Sequence, residues 1–228
     1  MIDQIRSLLK KNKKIHNLVK KIIIVLNLRY FIRLYEKYFF LKEIKEFRKL
    51  KKPLRIIVAA GDQNQKNWIS SEHYTFNIIN SKSWSEYFKL NEIKNILAEH
   101  IFEHFDENKT EIVLKNIHNY LKQKGCLRIA VPDGFFPNKR YIEWVKPFGK
   151  APGADTHKIL YNYLSLKKIL EKFNFECILI EYFDEKNNFH INENHDYNGY
   201  VNRSRNNDPR NKIDEINYTS LIIDAYKK

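Results

Sequence analysis

The densest group of reactive side chains in this sequence is the segment Glu-His-Ile-Phe-Glu-His at residues 99–104. His100 and His104 are four residues apart and would share one face of a helix. A histidine titrates near neutral pH and can remove a proton from a hydroxyl or an amine. His100 directly follows an apolar run and is the first candidate for a general base, His104 is the second, and Glu103 could orient either. The alternative is that Glu103 and His104 cap the next helix or pair with lysines.

The same residues also spell H-x-x-E-H, a zinc-binding pattern of some metallohydrolases. Two histidines one helical turn apart can bind zinc, but such a site needs a long helix and a third ligand. Here the pattern follows an apolar run, and Asp106 marks the start of a new helix. Because the sequence does not indicate the long helix, we expect no metal ligands here. A zinc hydrolase remains an alternative function.

A second candidate site lies in residues 53–72, PLRIIVAAGDQNQKNWISSE. An apolar run ends at Gly61, a polar loop follows, and a second apolar patch ends at Glu72. This is the outline of a nucleotide-binding βαβ unit, in which backbone N–H groups approach the ligand and an acidic residue about 20 positions on binds a ribose. Gly61 could also simply end the strand. The pattern predicts an adenosine-type cofactor, although Ala59 replaces a glycine of the usual fingerprint.

Alternating strands and helices after Pro53 must position these residues. Apolar runs predict six strands, and helical spacing predicts three helices, with Asp106 as the cap of the longest. This alternation favours a three-layer α/β fold: a mostly parallel, Rossmann-like sheet with helices on both faces and the last two strands antiparallel at one edge. The predicted strands are 54–60, 68–72, 94–99, 126–131, 176–183 and 218–226, and the predicted helices are 83–90, 107–123 and 163–173.

The carboxyl ends of the strands in such a sheet are where ligands bind. This rule adds two candidate substrate-binding residues, Asp133 after the run LRIAV and His157 in the loop GKAPGADTHK. Asp133 could equally be a turn residue between Pro132 and Gly134, and His157 could cap the next helix. The polar segment 184–217 favours a flap over a polar or anionic substrate, and disorder or an oligomer contact explains its composition equally well.

Four segments together resemble a known family: IIVAAGDQNQKNWISSE, NILAEHIFEHF, KGCLRIAVPDG and THKILYNYLSLKKILEKFNFE. Over roughly residues 54–226 the sequence resembles the Rossmann-like (class I) S-adenosylmethionine-dependent methyltransferases. The cofactor-binding residues that the resemblance implies are Ala59, Ala60 and Gly61 under the methionine part of S-adenosyl-L-methionine, Glu72 at the ribose, and Ala98 and Glu99 beside the cofactor.

The resemblance implies an enzyme that transfers a methyl group to an oxygen or nitrogen of a small polar acceptor, such as a sugar or glycan precursor. Ala59 departs from the family, which commonly has glycine there. If the turn needs a positive φ angle, the Cβ atom of Ala59 would be strained. A fold that has lost its cofactor and binds without catalysis is therefore the second alternative.

The net charge of +14 is concentrated at one end of the chain. Residues 1–52 hold 16 Lys and Arg against 4 Asp and Glu, whereas the remaining residues hold 25 against 23. This pattern predicts a basic, amphipathic helical extension, 1–52, before a methyltransferase-like domain, 53–228. The extension would pack on the domain or a partner subunit, or contact an anionic membrane surface.

Other sequence features bear on partners and location. No nucleic-acid-binding motif is present, so no nucleic-acid partner is expected. The longest apolar run in the extension is far shorter than the ~20 residues of a membrane span, and no signal peptide is visible. Cys126 and Cys177 predict free thiols in a reducing compartment. We expect a cytoplasmic protein, with peripheral membrane contact as an option.

Overall fold

The computed structural model describes residues 29–192 and 198–228. The predicted helix within residues 2–28 and the polar residues 193–197 lie outside the described residues. In chain order, the elements are α1 (Arg29–Lys49), β1 (Leu54–Ile57), β2 (Ile69–Ser70), α2 (Ser81–Tyr87), β3 (Ile93–Glu99), a 3₁₀ turn (Phe102–His104), α3 (Glu107–Tyr120), β4 (Leu121–Pro132), α4 (Lys139–Val145), a second 3₁₀ turn (Ala154–Thr156), α5 (Tyr163–Lys172), β5 (Phe175–Phe183), β6 (Phe189–Ile191) and β7 (Ser220–Lys227).

The strands form one seven-stranded sheet in the order β2-β1-β3-β4-β7-β5-β6. Strands β1 to β4 pair in parallel, and β7 lies antiparallel between β4 and β5. The predicted α/β class, with a mostly parallel Rossmann-like sheet and an antiparallel last strand, is confirmed. The predicted antiparallel pair does not form the edge of the sheet, because the short strand β6 pairs with β5 outside it.

Helices α1, α2, α3 and α5 contribute to one hydrophobic core on one face of the sheet. Helix α3 shows how the sequence produces this packing, since Val113, Leu114 and Ile117 recur at helical spacing and are all buried. The side chain of Asp106 caps the helix by accepting a hydrogen bond from the backbone N–H of Lys109 at 2.9 Å. The helix ends at Tyr120, earlier than predicted, because the chain continues directly into β4.

The opposite face of the sheet is covered by residues 198–211, which we call the cover segment. Val201 packs there with apolar residues of the strands, Ile57, Leu97 and Ala130 among them. Within the described part of the chain, the apolar cluster on this face contains residues of strands and loops but none of a helix. Residues 58–68, which join β1 to the parallel strand β2, contain no helix. Their 11 residues are fewer than the dozen or more that a helical crossover needs.

A buried ion pair fastens the cover segment to the sheet. Arg128 of β4 is 0% exposed, and its Nε and Nη2 atoms donate to Oδ1 and Oδ2 of Asp224 in β7 at 2.6 and 2.8 Å. Arg128 also donates to the carbonyl oxygen of Gly199, and the side-chain amide of Asn198 donates to Asp224 at 2.8 Å. Each member of the pair is thus bonded to one residue of the cover segment, Arg128 to Gly199 and Asp224 to Asn198.

Helix α1 packs on the domain although it belongs to the basic segment 1–52. Phe40 and Ile44 lie in the main core. Arg48 makes two hydrogen bonds of 2.7 Å to the carboxylate of Glu92. Among the described residues, no helix combines the length and the apolar character that a membrane crossing requires.

We expect Arg128→Met to lower the free energy of unfolding by about 3–5 kcal/mol, because it leaves the Asp224 carboxylate buried without its partner. Chemical denaturation followed by circular dichroism measures this change. The control is Lys172→Met, which removes an exposed pair with Glu111 and should cost less than about 1 kcal/mol. Equal losses in the two variants would contradict the structural role of the buried pair.

Candidate functional site

A cavity of about 540 Å³ opens beyond the carboxyl ends of β1, β3 and β4. This is the edge where doubly wound sheets bind ligands, and the volume is in the range of small-molecule sites. Most of the residues predicted for the site lie on its wall. The lining residues include Ala59, Ala60, Gly61, Asp62, Gln63, Glu99, His100, Glu103, His104, Trp144, His157, Asn202, Arg203, Arg210 and Tyr218.

The turn after β1 forms one wall of the cavity. Ala59 and Gly61 both have positive φ angles, 46° and 56°. The backbone N–H of Ala60 donates to the carbonyl of Ser71 at 2.8 Å and holds the turn against β2. A Cβ atom added to Gly61 would meet nothing within 4 Å, so the space beside it is open to a ligand. Within the described residues, the backbone N–H groups of Ala59 and Gly61 donate to no protein acceptor.

Three residues that the resemblance assigned to the cofactor are in different environments. Glu99 lines the cavity, but its carboxylate accepts hydrogen bonds from Gln63 and from the backbone N–H groups of Asn202 and Arg203, at 2.8 to 3.0 Å. It therefore anchors the cover segment. Ala98 is fully buried in the core under the helices and is not among the residues that line the cavity, so its contact with the cofactor stays a prediction. Glu72 follows Ser71 directly at the same edge and is half-buried, outside the cavity wall.

His100, the first predicted base, has both ring nitrogens engaged. Its Nε2 lies 2.9 Å from Oγ of Ser220, and Ser220 donates its own proton to the carbonyl of Arg203 at 2.7 Å. The Nε2 atom must therefore donate to Ser220. The Nδ1 atom lies 3.1 Å from Oε1 of Glu103. This arrangement holds Glu103 in place and leaves His100 poorly disposed to take a proton from an acceptor.

Glu103 is a buried carboxylate, 1% exposed. Burial is the largest influence and opposes its ionisation, but His100, the backbone and His104 together lower the pKa of the carboxyl below its usual value. The contact with Nδ1 of His100 is close, at 3.1 Å, but is not aligned as a hydrogen bond. Neither oxygen of Glu103 receives a hydrogen bond within the described residues. Its backbone carbonyl accepts from Lys158 at 2.7 Å, which brings the loop containing His157 against it.

His104 and His157 meet across the cavity wall with ring centroids 4.7 Å apart. Thr156 donates to the carbonyl of Gly153, so Nδ1–H of His104 donates to Thr156 at 2.8 Å. Nδ1–H of His157 donates to the carbonyl of Val145 at 2.7 Å. In both rings the Nε2 atom is then left to accept a proton or a ligand. Burial is the main cause that lowers the pKa of His104, which favours its neutral form.

The H-x-x-E-H pattern does not lie on one helix. His100 follows β3 directly, and only Phe102–His104 form a single 3₁₀ turn. The long helix that a zinc hydrolase of that type requires is therefore replaced by a strand end and a turn.

Asp133, predicted to bind substrate, is 0% exposed. Its Oδ1 and Oδ2 atoms accept hydrogen bonds from the backbone N–H groups of Phe135 and Phe183, at 2.9 and 2.8 Å. Burial raises the pKa of Asp133 to about 6. The carboxylate joins the ends of β4 and β5 and does not line the cavity, which favours the alternative of a structural turn residue. A role in substrate binding stays a prediction.

Several lining residues were not predicted individually. Trp144 belongs to α4, a helix of 7 residues that the sequence analysis did not predict. Tyr218 lines the cavity and precedes β7. The apolar pattern of β7 predicted a strand, but it gave no sign of the contact between Ser220 and His100. Arg210, within the predicted flap, pairs with Asp208 and lies 3.5 Å above the ring of Tyr218.

No protein-family model and no curated protein sequence matches this chain. Solved structures similar to this chain include S-adenosylmethionine-dependent methyltransferases. One from Thermotoga maritima is 13% identical, with a TM-score of 0.46 over 90% of this chain and 97% of that one. One from Archaeoglobus fulgidus is 16% identical, with a TM-score of 0.43 over 87% and 100%. A phosphoethanolamine N-methyltransferase from Haemonchus contortus, in complex with S-adenosyl-L-methionine, is 12% identical, with a TM-score of 0.38 over 57% and 35%. The similarity between these structures and this chain is limited to the fold.

We expect Ala59→Gly to raise the free energy of unfolding by about 1 kcal/mol, because glycine removes the left-handed strain of a residue with a Cβ atom. The neighbouring change Ala60→Gly is the matched control. Ala60 has no positive φ angle, so glycine there should lower stability by about 0.5–1 kcal/mol. Chemical denaturation measures both, and a loss of stability in Ala59→Gly would argue against the turn geometry.

We expect Asp133→Asn to lower the free energy of unfolding by about 1–3 kcal/mol, because an amide can accept only one of the two buried hydrogen bonds. The exposed change Asp155→Asn serves as the control, with little effect on stability. Thermal or chemical denaturation measures the stability of both variants. Unchanged stability in Asp133→Asn would restore a role in substrate binding.

Proposed function

We propose that this protein is an S-adenosylmethionine-dependent methyltransferase acting on an oxygen or nitrogen of a small polar acceptor. The observation that carries the proposal is that the turn after β1 and the histidines after β3 line the same cavity. One end offers backbone N–H groups to a cofactor, and the other offers groups that can take a proton. Both lie at the edge of the sheet where ligands bind in this fold.

The turn Ala59–Gly61 would hold the methionine part of S-adenosyl-L-methionine. Its free backbone N–H groups suit a carboxylate, and the open space beside Gly61 allows close approach. Glu72 remains the predicted partner of the ribose, since it follows β2 next to Ser71, which is bonded to the turn. When bound, this cofactor supplies an electrophilic methyl group on a sulfonium, so the protein mainly has to orient the acceptor.

The acceptor would lie between the histidines and the aromatic wall formed by Trp144 and Tyr218. His104 is better placed than His100 to accept its proton, because the Nε2 atom of His104 has a free lone pair. His100 is then a positioning residue that fixes Glu103. Arg203 and Arg210 line the same space and favour a polar or anionic acceptor, for which a sugar or glycan precursor is the candidate class.

Calorimetric titration with S-adenosyl-L-methionine and S-adenosylhomocysteine tests the proposal. We expect micromolar binding of both to the folded protein. Glu72→Gln should weaken binding roughly 10- to 100-fold through loss of hydrogen bonds worth about 1.5–3 kcal/mol to a charged group. Glu176→Gln on the exposed side of β5 is the control and should bind normally.

Two outcomes of this titration would count against the proposal. No heat at millimolar cofactor would contradict it and would favour the alternative, a methyltransferase fold that binds without catalysis. Equal affinities of Glu72→Gln and the wild-type protein would remove Glu72 as the ribose partner while leaving the turn as the cofactor site.

A further inference from the structure

The cavity contains a second arrangement that methyl transfer alone does not explain. Glu103, His104 and His157 present one carboxylate and two imidazoles to a common point, and their candidate ligand atoms all lie within 4.8 Å of one another. The Nε2 atom of His157 is 4.0 Å from Oε1 of Glu103. These residues come from two distant parts of the chain, the turn after β3 and the loop before α5.

We propose that Glu103, His104 and His157 form a binding site for a divalent first-row transition metal ion such as Zn²⁺. Two imidazole nitrogens and one carboxylate suit Zn²⁺, Fe²⁺ or Mn²⁺, whereas Mg²⁺ and Ca²⁺ prefer oxygen ligands alone. Three protein ligands leave at least one coordination position open. That position faces the cavity, since all three residues line it.

The partners of the two histidines support this inference. A histidine that binds a metal through Nε2 generally donates its Nδ1–H to a carbonyl, carboxylate or hydroxyl. Here the carbonyl of Val145 accepts from His157, and the hydroxyl of Thr156, which spends its own proton on Gly153, accepts from His104. Both rings are therefore held in the tautomer in which Nε2 carries the lone pair. The two histidines therefore share the same tautomer, with Nε2 as the free atom in each ring.

The unsatisfied carboxylate of Glu103 supplies the second, independent observation. Buried polar groups are nearly always hydrogen-bonded, so a buried carboxylate whose two oxygens make no aligned hydrogen bond in the described residues calls for a physical explanation. Nδ1 of His100 lies 3.1 Å from Oε1 of Glu103 without that alignment. A cation between Glu103 and the two histidines would complete its coordination.

The three ligand atoms have to move only slightly closer together to bind one metal ion. Tetrahedral ligands about 2.1 Å from a zinc ion lie about 3.4 Å from one another. The largest separation here is 4.8 Å or less, so side-chain movements on the order of 1 Å bring the three atoms into range. The loop containing His157 is held against Glu103 by a backbone hydrogen bond from Lys158, and rotamer adjustments can supply the rest.

The role of the ion rests on the proposed function, whereas the site itself does not. If the acceptor binds through an oxygen, the open coordination position would hold that oxygen and favour its deprotonated form. Nε2 of His104 would then be a ligand instead of the base. This favours a hydroxyl or carboxylate acceptor over an amine.

Metal titration of the full chain tests the site. The protein is prepared without a histidine tag, stripped with a chelator, and titrated with Zn²⁺ and with Co²⁺ as a spectroscopic probe. We expect one equivalent to bind and the Co²⁺ form to show visible absorption bands of low coordination number. His104→Gln and His157→Gln should each weaken Zn²⁺ binding roughly 100-fold or more. His190→Gln is the control, because His190 pairs with Asp184 and does not line the cavity.

Several outcomes would overturn the inference. The wild-type protein could take up no Zn²⁺ at a large excess of the free ion, or the double variant His104→Gln, His157→Gln could bind as tightly as the wild-type protein. If the variants unfold, X-ray absorption of the zinc-loaded wild-type protein decides, since two imidazoles support the site and one or none contradicts it. Calorimetry of the metal-free protein with S-adenosyl-L-methionine is a separate readout, so a failed cofactor site and a failed metal site are distinguishable.

Discussion

The buried pair between Arg128 and Asp224 is the contact on which the rest of this structure depends. It lies on the face of the sheet that carries no helix among the described residues, and it bonds to Asn198 and Gly199 of the cover segment. From there the segment passes along the sheet and gives its backbone N–H groups at Asn202 and Arg203 to Glu99. A charge pair in the middle of the sheet thereby determines the wall of a cavity at its edge.

The same pair explains why this face differs from an ordinary helix-covered face. A helix satisfies its own backbone and offers mainly side chains, whereas Arg128 and Asp224 need carbonyl and amide partners to offset the cost of burial. An irregular segment can present such groups directly. Asn95 on β3 adds a further polar contact, since its amide donates to Asn198 at 2.8 Å. Because the centre of this face is polar, an irregular segment with exposed carbonyl and amide groups can cover it better than a helix.

Local patterns in the sequence were sufficient to predict the sheet and much of the site. Apolar periodicity predicted the strands and the helix after Asp106, and the rule for strand ends placed His100, Glu103 and Gly61 at one edge. Contacts between distant segments could not be predicted in this way. The environment of His100 depends on Ser220, 120 residues away, and a single sequence contains no signal for that hydrogen bond. The hydrogen bond that Asp133 accepts from Phe183 could not be predicted for the same reason, because the two residues are 50 positions apart.

Strand β7 also imposes an order on assembly. It lies between β4 and β5, which both precede it in the chain. While the chain is being synthesised, those two strands cannot pair with β7, and each keeps an edge of unpaired backbone N–H and C=O groups until β7 is made. Ser220, its first residue, then supplies the contact that fixes His100. The contact that fixes His100 therefore forms only after β4, β5 and β7 have all been synthesised.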